Sequence, residues 1–118
     1  MSFKQDNLIQ IKTFDFALEI IKFYLECKSQ NEYVLSKQIL RSGTSIGANV
    51  EEAIAAQSKK DFISKLSIAN KEARETKYWL RLYQSSNLVQ IEIDSYLKEI
   101  ESIINILTKI IKTSSENL

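Results

Sequence analysis

The sequence predicts an all-α fold, four helices packed as an up-down-up-down antiparallel bundle, and three observations predict it. The 118 residues contain no proline and only two glycines. A chain with so few places to turn has few, long elements. Apolar residues recur at three- and four-residue spacing through four stretches, about 8–28, 33–57, 59–84 and 91–113. Short connections between helices of similar length favour a bundle in which neighbours run antiparallel. One domain of this length buries a core without disulfide or metal staples.

Each stretch has its own pattern. The first carries two apolar stripes, Ile11, Phe14, Leu18, Ile21 and Leu25 on one side and Ile9, Phe16, Ile20, Phe23 and Cys27 roughly opposite. A helix in a lone bundle needs one apolar face, so two stripes predict burial on two sides. A turn falls near KSQNEY. The second stretch then keeps Leu35, Ile39, Gly43, Ile46, Val50, Ala53 and Ile54 on one arc. Ser58 is placed to cap the third helix, with Asp61 three residues on as in a capping box. That helix lines up Phe62, Leu66, Ala69, Ala73 and Leu80, and leaves Ile68 and Trp79 off the stripe. Asn87 suits the left-handed turn that ends a helix. The fourth stretch carries Ile93, Leu97, Ile100, Ile104, Leu107 and Ile111, widened by Ile103 and Ile110.

Composition excludes much chemistry. With no histidine, catalysis by Ser-His-Asp or Cys-His, histidine zinc sites and the carboxylate–histidine di-iron site are all ruled out. The single cysteine, Cys27, cannot form an intramolecular disulfide and lies on an apolar stripe, which predicts a buried, inert thiol and fits a cytoplasmic setting. No signal peptide and no membrane span are expected. Glu51 and Glu52 are adjacent, so they point about 100° apart and cannot chelate one ion as a pair. We expect no catalytic residues, no metal and no cofactor.

Both glycines sit in RSGTSIGANVEEA, residues 41–53. No strand precedes the segment and no Lys-Ser/Thr follows Gly47, so it is not a phosphate-binding loop. Each glycine inside a helix costs about 0.8–1 kcal/mol against alanine. Beside so many small residues, that cost predicts a thin helix closely approached by a neighbour, with bulky residues such as Phe14, Phe16, Phe23, Phe62 and Trp79 available to fill the space. Arg41, Ser45, Asn49 and Glu52 form a polar line along it. Two readings stand, a ligand or partner contact and an interhelical polar network that fixes register.

This segment, followed by QSKKDFISKLSIANKEARETKYWLRL, resembles the four-helix-bundle family encoded in intervening sequences of bacterial 23S ribosomal RNA genes. It is similar also to the accessory variability determinant of diversity-generating retroelements. The likeness centres on Arg41, Ser45 to Asn49, Glu52, Lys60 to Phe62, Ile68, Ala69, Glu72 and Glu75. It implies a ring-like homo-oligomer, a homopentamer, with no established enzymatic activity. The retroelement relatives are basic, associate with a reverse transcriptase and bind nucleic acid. This chain, at net charge +1, is nearly neutral.

Lys60, Lys71, Arg74, Lys77 and Arg81 fall within about a third of the third helix's circumference. They form either a phosphate-neutralising stripe or a solvated face paired with Glu72, Glu75 and nearby acids. The expected function is a non-enzymatic homo-oligomeric scaffold with subunit contacts through Phe16, Ile20, Phe23, Ile68 and Trp79. The alternative is an RNA- or DNA-binding accessory protein acting through the basic stripe, for example as partner of a reverse transcriptase.

Overall fold

A computed structural model describes residues 3–117, with side chains from residue 8 onward. Four helices follow in order: α1 (Phe3–Ser29), α2 (Leu35–Ile54), α3 (Lys59–Ser86) and α4 (Asp94–Glu116). No strand occurs among the described residues. The bounds fall close to those expected, since the connections carry the turn chemistry. Asn31 and Asn87 both adopt the left-handed conformation, at φ 65° and 56°. Asparagine tolerates that region better than most residues. Ser58 caps α3 by accepting the Asp61 backbone N–H at 3.0 Å.

The bundle measures 47 × 20 × 20 Å. Among the described residues α2 packs on α1 and α3, and α4 packs on α3 and α1. Among the described residues the backbones of the diagonal pairs α1/α3 and α2/α4 do not approach one another, and α1 meets α3 through side chains, Phe23 against Tyr83. Polar pairs mark the register. Gln10 of α1 donates to Glu51 near the end of α2. Glu52, also late in α2, pairs with Lys65 early in α3 at 3.1 Å. Gln84, late in α3, donates to Asp94 at the start of α4. No helix among the described residues is long and apolar enough to cross a membrane.

The core is where one expectation fails. Phe16, Ile20 and Phe23 are not surface contacts. They are 2 %, 0 % and 0 % exposed inside the chain's own bundle, with Ile9 and Cys27. The other stripe, Ile11, Phe14, Leu18, Ile21 and Leu25, is the one left open to solvent. The reason lies on α2. A Cβ added at Gly43 would sit 2.9 Å from Ile20 Cγ1 and Cγ2, and one at Gly47 would sit 3.3 Å from the Thr13 carbonyl oxygen. The glycines therefore admit α1 itself, through Ile20 and the Thr13 backbone. The nearest atoms to that space belong to Ile20 and Thr13, and of the expected aromatic residues Phe14 lines the groove beside Gly47. The segment is a thin helix, as expected, and buried Ser42 beside Gly43 accepts a hydrogen bond from Thr76 of α3 at 2.8 Å.

Around this seam α2 buries Ile39, Ile46, Val50 and Ala53, while α4 buries Ile100, Ile103, Ile104, Leu107 and Ile110. Phe23 lies between two tyrosines, edge-on to Tyr83 at 5.0 Å and to Tyr96 at 5.1 Å. Such edge-to-face pairs add to the gain from area burial alone.

Candidate interaction surfaces

The solvent face of α1 is apolar. Ile11, Phe14, Leu18, Ile21 and Leu25 alternate three- and four-residue steps, as in a heptad seam. They are between 42 % and 60 % exposed, and Leu8 extends the line. Beside it a groove of about 220 Å³ runs between α1 and α2, lined by Phe14, Ala17, Thr44, Gly47, Ala48 and Glu51. A contiguous apolar line of this kind on a small bundle is a candidate interaction surface. Of the other residues expected at an interface, Ile68 is exposed on α3. Trp79 is half-buried, its indole N–H donating to Glu75 at 3.0 Å.

The polar line of α2 works inside the chain. Arg41 reaches α3, pairing with Glu75 and, at 3.3 Å, with Glu72. Ser45 Oγ donates to the Arg41 carbonyl and Asn49 Nδ2 to the Ser45 carbonyl. Glu52 is the residue that holds Lys65. Arg41 and Glu52 thus tie α2 to α3, while Ser45 and Asn49 bond to the backbone of their own helix.

That arrangement changes the basic stripe. Glu72 and Glu75 share Arg41, so they make no ion pair with the cations of α3. Lys60, Lys71, Arg74 and Arg81 are exposed, with no carboxylate within 4.0 Å among the described residues. Lys77 departs from them by turning to α4, where it pairs with Glu101 at 2.7 Å. Two contributors escaped the sequence reading. Tyr78, 51 % exposed, lies among the α3 cations. On the neighbouring helix Lys98, Lys109 and Lys112 are exposed and likewise without an ion pair. Their signal was a shared outward face of α4, visible at steps of 11 and 3 only once that helix is oriented by its core.

A third cluster, also missed, closes one end of the bundle. The Glu32 carboxylate accepts the backbone N–H groups of Val34, Leu35 and Ser36 at 3.0, 2.9 and 3.1 Å. It therefore satisfies the free donors at the start of α2. It also accepts the Tyr83 hydroxyl from α3. Partial burial works to raise the Glu32 pKa, but the Tyr83 hydroxyl and the three N–H donors outweigh it and hold the group below its ordinary value. Tyr83 is pushed up, first by burial and then by its bond to Glu32. Burial pushes the Cys27 thiol up to about 11, so at neutral pH it is a thiol and a poor nucleophile. The described residues contain no cluster of three or more metal-ligating side chains.

Residues 5–109 match the 23S rRNA-intervening sequence protein family. The chain belongs to that family. A solved relative is a protein of unknown function from the S23 ribosomal protein family of Bacteroides thetaiotaomicron. It is 47 % identical, with a TM-score of 0.87, over 92 % of this chain and 98 % of that one. No protein of curated function matches the chain. This family member thus shares its bundle with a close structural relative, and its surfaces are the features from which a role is read.

Proposed function

We propose that this single-domain family member is a non-enzymatic scaffold of the cytoplasm. In this reading it is an up-down-up-down bundle that assembles with copies of itself into a ring-like homo-oligomer, a pentamer by family resemblance. One observation carries the reading, the heptad line Ile11, Phe14, Leu18, Ile21 and Leu25 lying in solvent on the side of α1 away from the core. Leaving such a line half-exposed forgoes half of the roughly 1.5–3 kcal/mol that full burial of each large apolar side chain would return. The contacts are thereby reassigned from Phe16, Ile20 and Phe23 to the opposite face of the same helix, with Ile68 a contributor from α3. Light scattering on a size-exclusion column tests it. The wild type runs as a discrete oligomer, and Leu18→Glu with Ile21→Glu runs as a folded monomer. A monomeric wild type at micromolar concentration overturns the reading.

A second reading has its own support, the unpaired cations of α3. With Glu72 and Glu75 held by Arg41, Lys60, Lys71, Arg74 and Arg81 are free to meet phosphates, and α4 adds three lysines alongside. We infer nucleic-acid binding, RNA or DNA, through this face, as an accessory to a nucleic-acid enzyme such as a reverse transcriptase. The two readings are compatible. Because α1 and α3 are diagonal in the bundle, their solvent faces point to different sides, so assembly through α1 leaves the cationic line of α3 open and repeats it around the oligomer, where weak sites act together. Binding that falls steeply with salt supports it. Affinity that ignores Arg74→Glu with Arg81→Glu overturns it.

A further inference from the structure

We propose that the outward face of α3 is a platform for single-stranded nucleic acid, with Tyr78 as the residue on which a base stacks. This rests on the nucleic-acid reading above and specifies the form of the polymer.

The face has a regular order. Lys60, Ser64, Ser67, Lys71, Arg74, Tyr78, Arg81 and Ser85 succeed one another at alternating steps of four and three residues, and all eight are exposed. That spacing keeps them on one line down the helix. At a rise of 1.5 Å per residue the line runs for roughly 37 Å. It contains cations, hydroxyls and one aromatic ring, and no carboxylate. The acids on its flanks are engaged within the chain, Glu72 and Glu75 sharing Arg41 towards α2 and Glu101 pairing with Lys77 towards α4, while Asp94, beside Arg81 at one end, accepts from Gln84. A phosphate backbone laid along the line therefore meets positive charge and hydroxyl donors along its length.

Tyr78 decides between strand and duplex. Its ring is no part of the core, being 51 % exposed. Arg74 precedes it by four residues and Arg81 follows by three, so a cation lies on the same face in each direction along the helix. The ring is also braced. Its aromatic contact is the ring of Trp79, at 5.4 Å and 63°. Trp79 in turn is anchored through its indole N–H to Glu75, which Arg41 holds. A ring supported in this way loses little freedom when a base settles on it. A duplex offers such a ring only its backbone, because its bases are stacked on each other. A single strand presents base faces and phosphates together, the combination that aromatic rings among cations recognise.

The experiment is fluorescence anisotropy of the full chain, at low and moderate salt. The probes are labelled oligo-dT and oligo-U of about 20 nucleotides, a length covering several times a small single-strand site, and a blunt duplex of equal length. The wild type is expected to bind the single strands about tenfold or more tightly than the duplex. Tyr78→Leu loses about tenfold for single strands and leaves duplex binding where it was, in the range a stacked base supplies. Tyr78→Phe, which keeps the ring, retains the affinity. Arg74→Ala with Arg81→Ala weakens every probe and lowers the salt slope by about two. Equal affinity for strand and duplex, with Tyr78→Leu silent but the arginine variant weakened, overturns the single-strand assignment and leaves nucleic-acid binding standing. Absence of binding to any probe at low salt overturns both. Tyr78 lies outside the core, so each variant is expected to keep the wild-type thermal melt, which confirms that a lost affinity is a lost contact.

Discussion

Helix α1 carries two apolar stripes of similar size, and the bundle covers only one. Ile9, Phe16, Ile20, Phe23 and Cys27 are sealed, while Ile11, Phe14, Leu18, Ile21 and Leu25 face water. Their periodicity is the same and their side chains are comparable, so α1 by itself does not rank them. The choice is made on α2, where Gly43 and Gly47 leave room for Ile20 and for the backbone at Thr13. Hydrophobic spacing identifies a face that favours burial. The identity of what buries it is written on the neighbour, in the residues small enough to let it approach.

The covered stripe is where substitutions cost most. Phe23→Ala removes the ring between Tyr83 and Tyr96 and is expected to destabilise by about 3–5 kcal/mol. Urea unfolding monitored by circular dichroism reads this as a lowered midpoint. A change under about 1 kcal/mol would place Phe23 outside a well-packed core.

Tyr83, packed on that ring, also donates to Glu32, and the covered face is therefore joined to the cap of α2. Glu32→Ala removes the cap and leaves a buried phenol without its acceptor, at an expected cost of about 2 kcal/mol. The folded carboxyl titrates below the ordinary value of 4.5, so the folded state binds its proton less readily than the unfolded chain. The charge's contribution is then complete above about 4.5 and disappears as the pH falls through the lower, folded value. The stability difference between wild type and Glu32→Gln should accordingly shrink on acidification below that point. A difference that stays constant down to the acid transition would contradict the assignment.

Much of this was legible in advance, and the failures share a cause. The four helices, the Ser58 cap, the Asn87 terminus and the core arcs of α2 to α4 follow from local spacing and turn chemistry, which a sequence displays directly. Both stripes of α1 are visible in the sequence, but which one the bundle covers is not, since that depends on the space beside Gly43. The polar line of Arg41, Ser45, Asn49 and Glu52 is visible in the sequence, whereas the α3 partners of Arg41 and Glu52 are not. Consequently Glu72 and Glu75 were offered to the cations of their own helix. The cap that Glu32 gives to Val34, Leu35 and Ser36 is local, whereas its link to Tyr83, 51 residues along the chain, is not legible in the sequence.

The glycines sharpen the comparison further. Gly43→Ala puts a methyl 2.9 Å from Ile20, a β-branched side chain with little freedom to turn aside. The overpacking is expected to outweigh the helix propensity gained, for a net loss of about 1–2 kcal/mol. Gly47→Ala meets the Thr13 carbonyl at 3.3 Å, a tight contact rather than an overlap. Its propensity gain and contact strain are expected to cancel within about 0.5 kcal/mol. Paired thermal melts would show Gly43→Ala clearly the lower. Equal melts would mean that α1 shifts freely on α2, and the glycines would not explain which stripe is covered.

The smallest effect on the fold belongs to the uncovered stripe. Phe14 and Phe16 are two residues apart, yet Phe14 is 60 % exposed and Phe16 is 2 % exposed. Phe14→Ala leaves no internal cavity, and the isolated subunit should keep its stability within about 0.5 kcal/mol. Its ring also lines the groove beside Gly47 and Ala48, so the substitution tests whether that groove serves contacts between copies. Melting temperature against protein concentration separates the two quantities, because association stabilises by mass action and leaves the dilute limit alone. For the wild type the melt should rise with concentration, and for Phe14→Ala it should rise less while meeting the wild type at high dilution. Curves displaced by a constant amount would place Phe14 in the subunit's own packing, and the line on α1 would no longer be an unpartnered face.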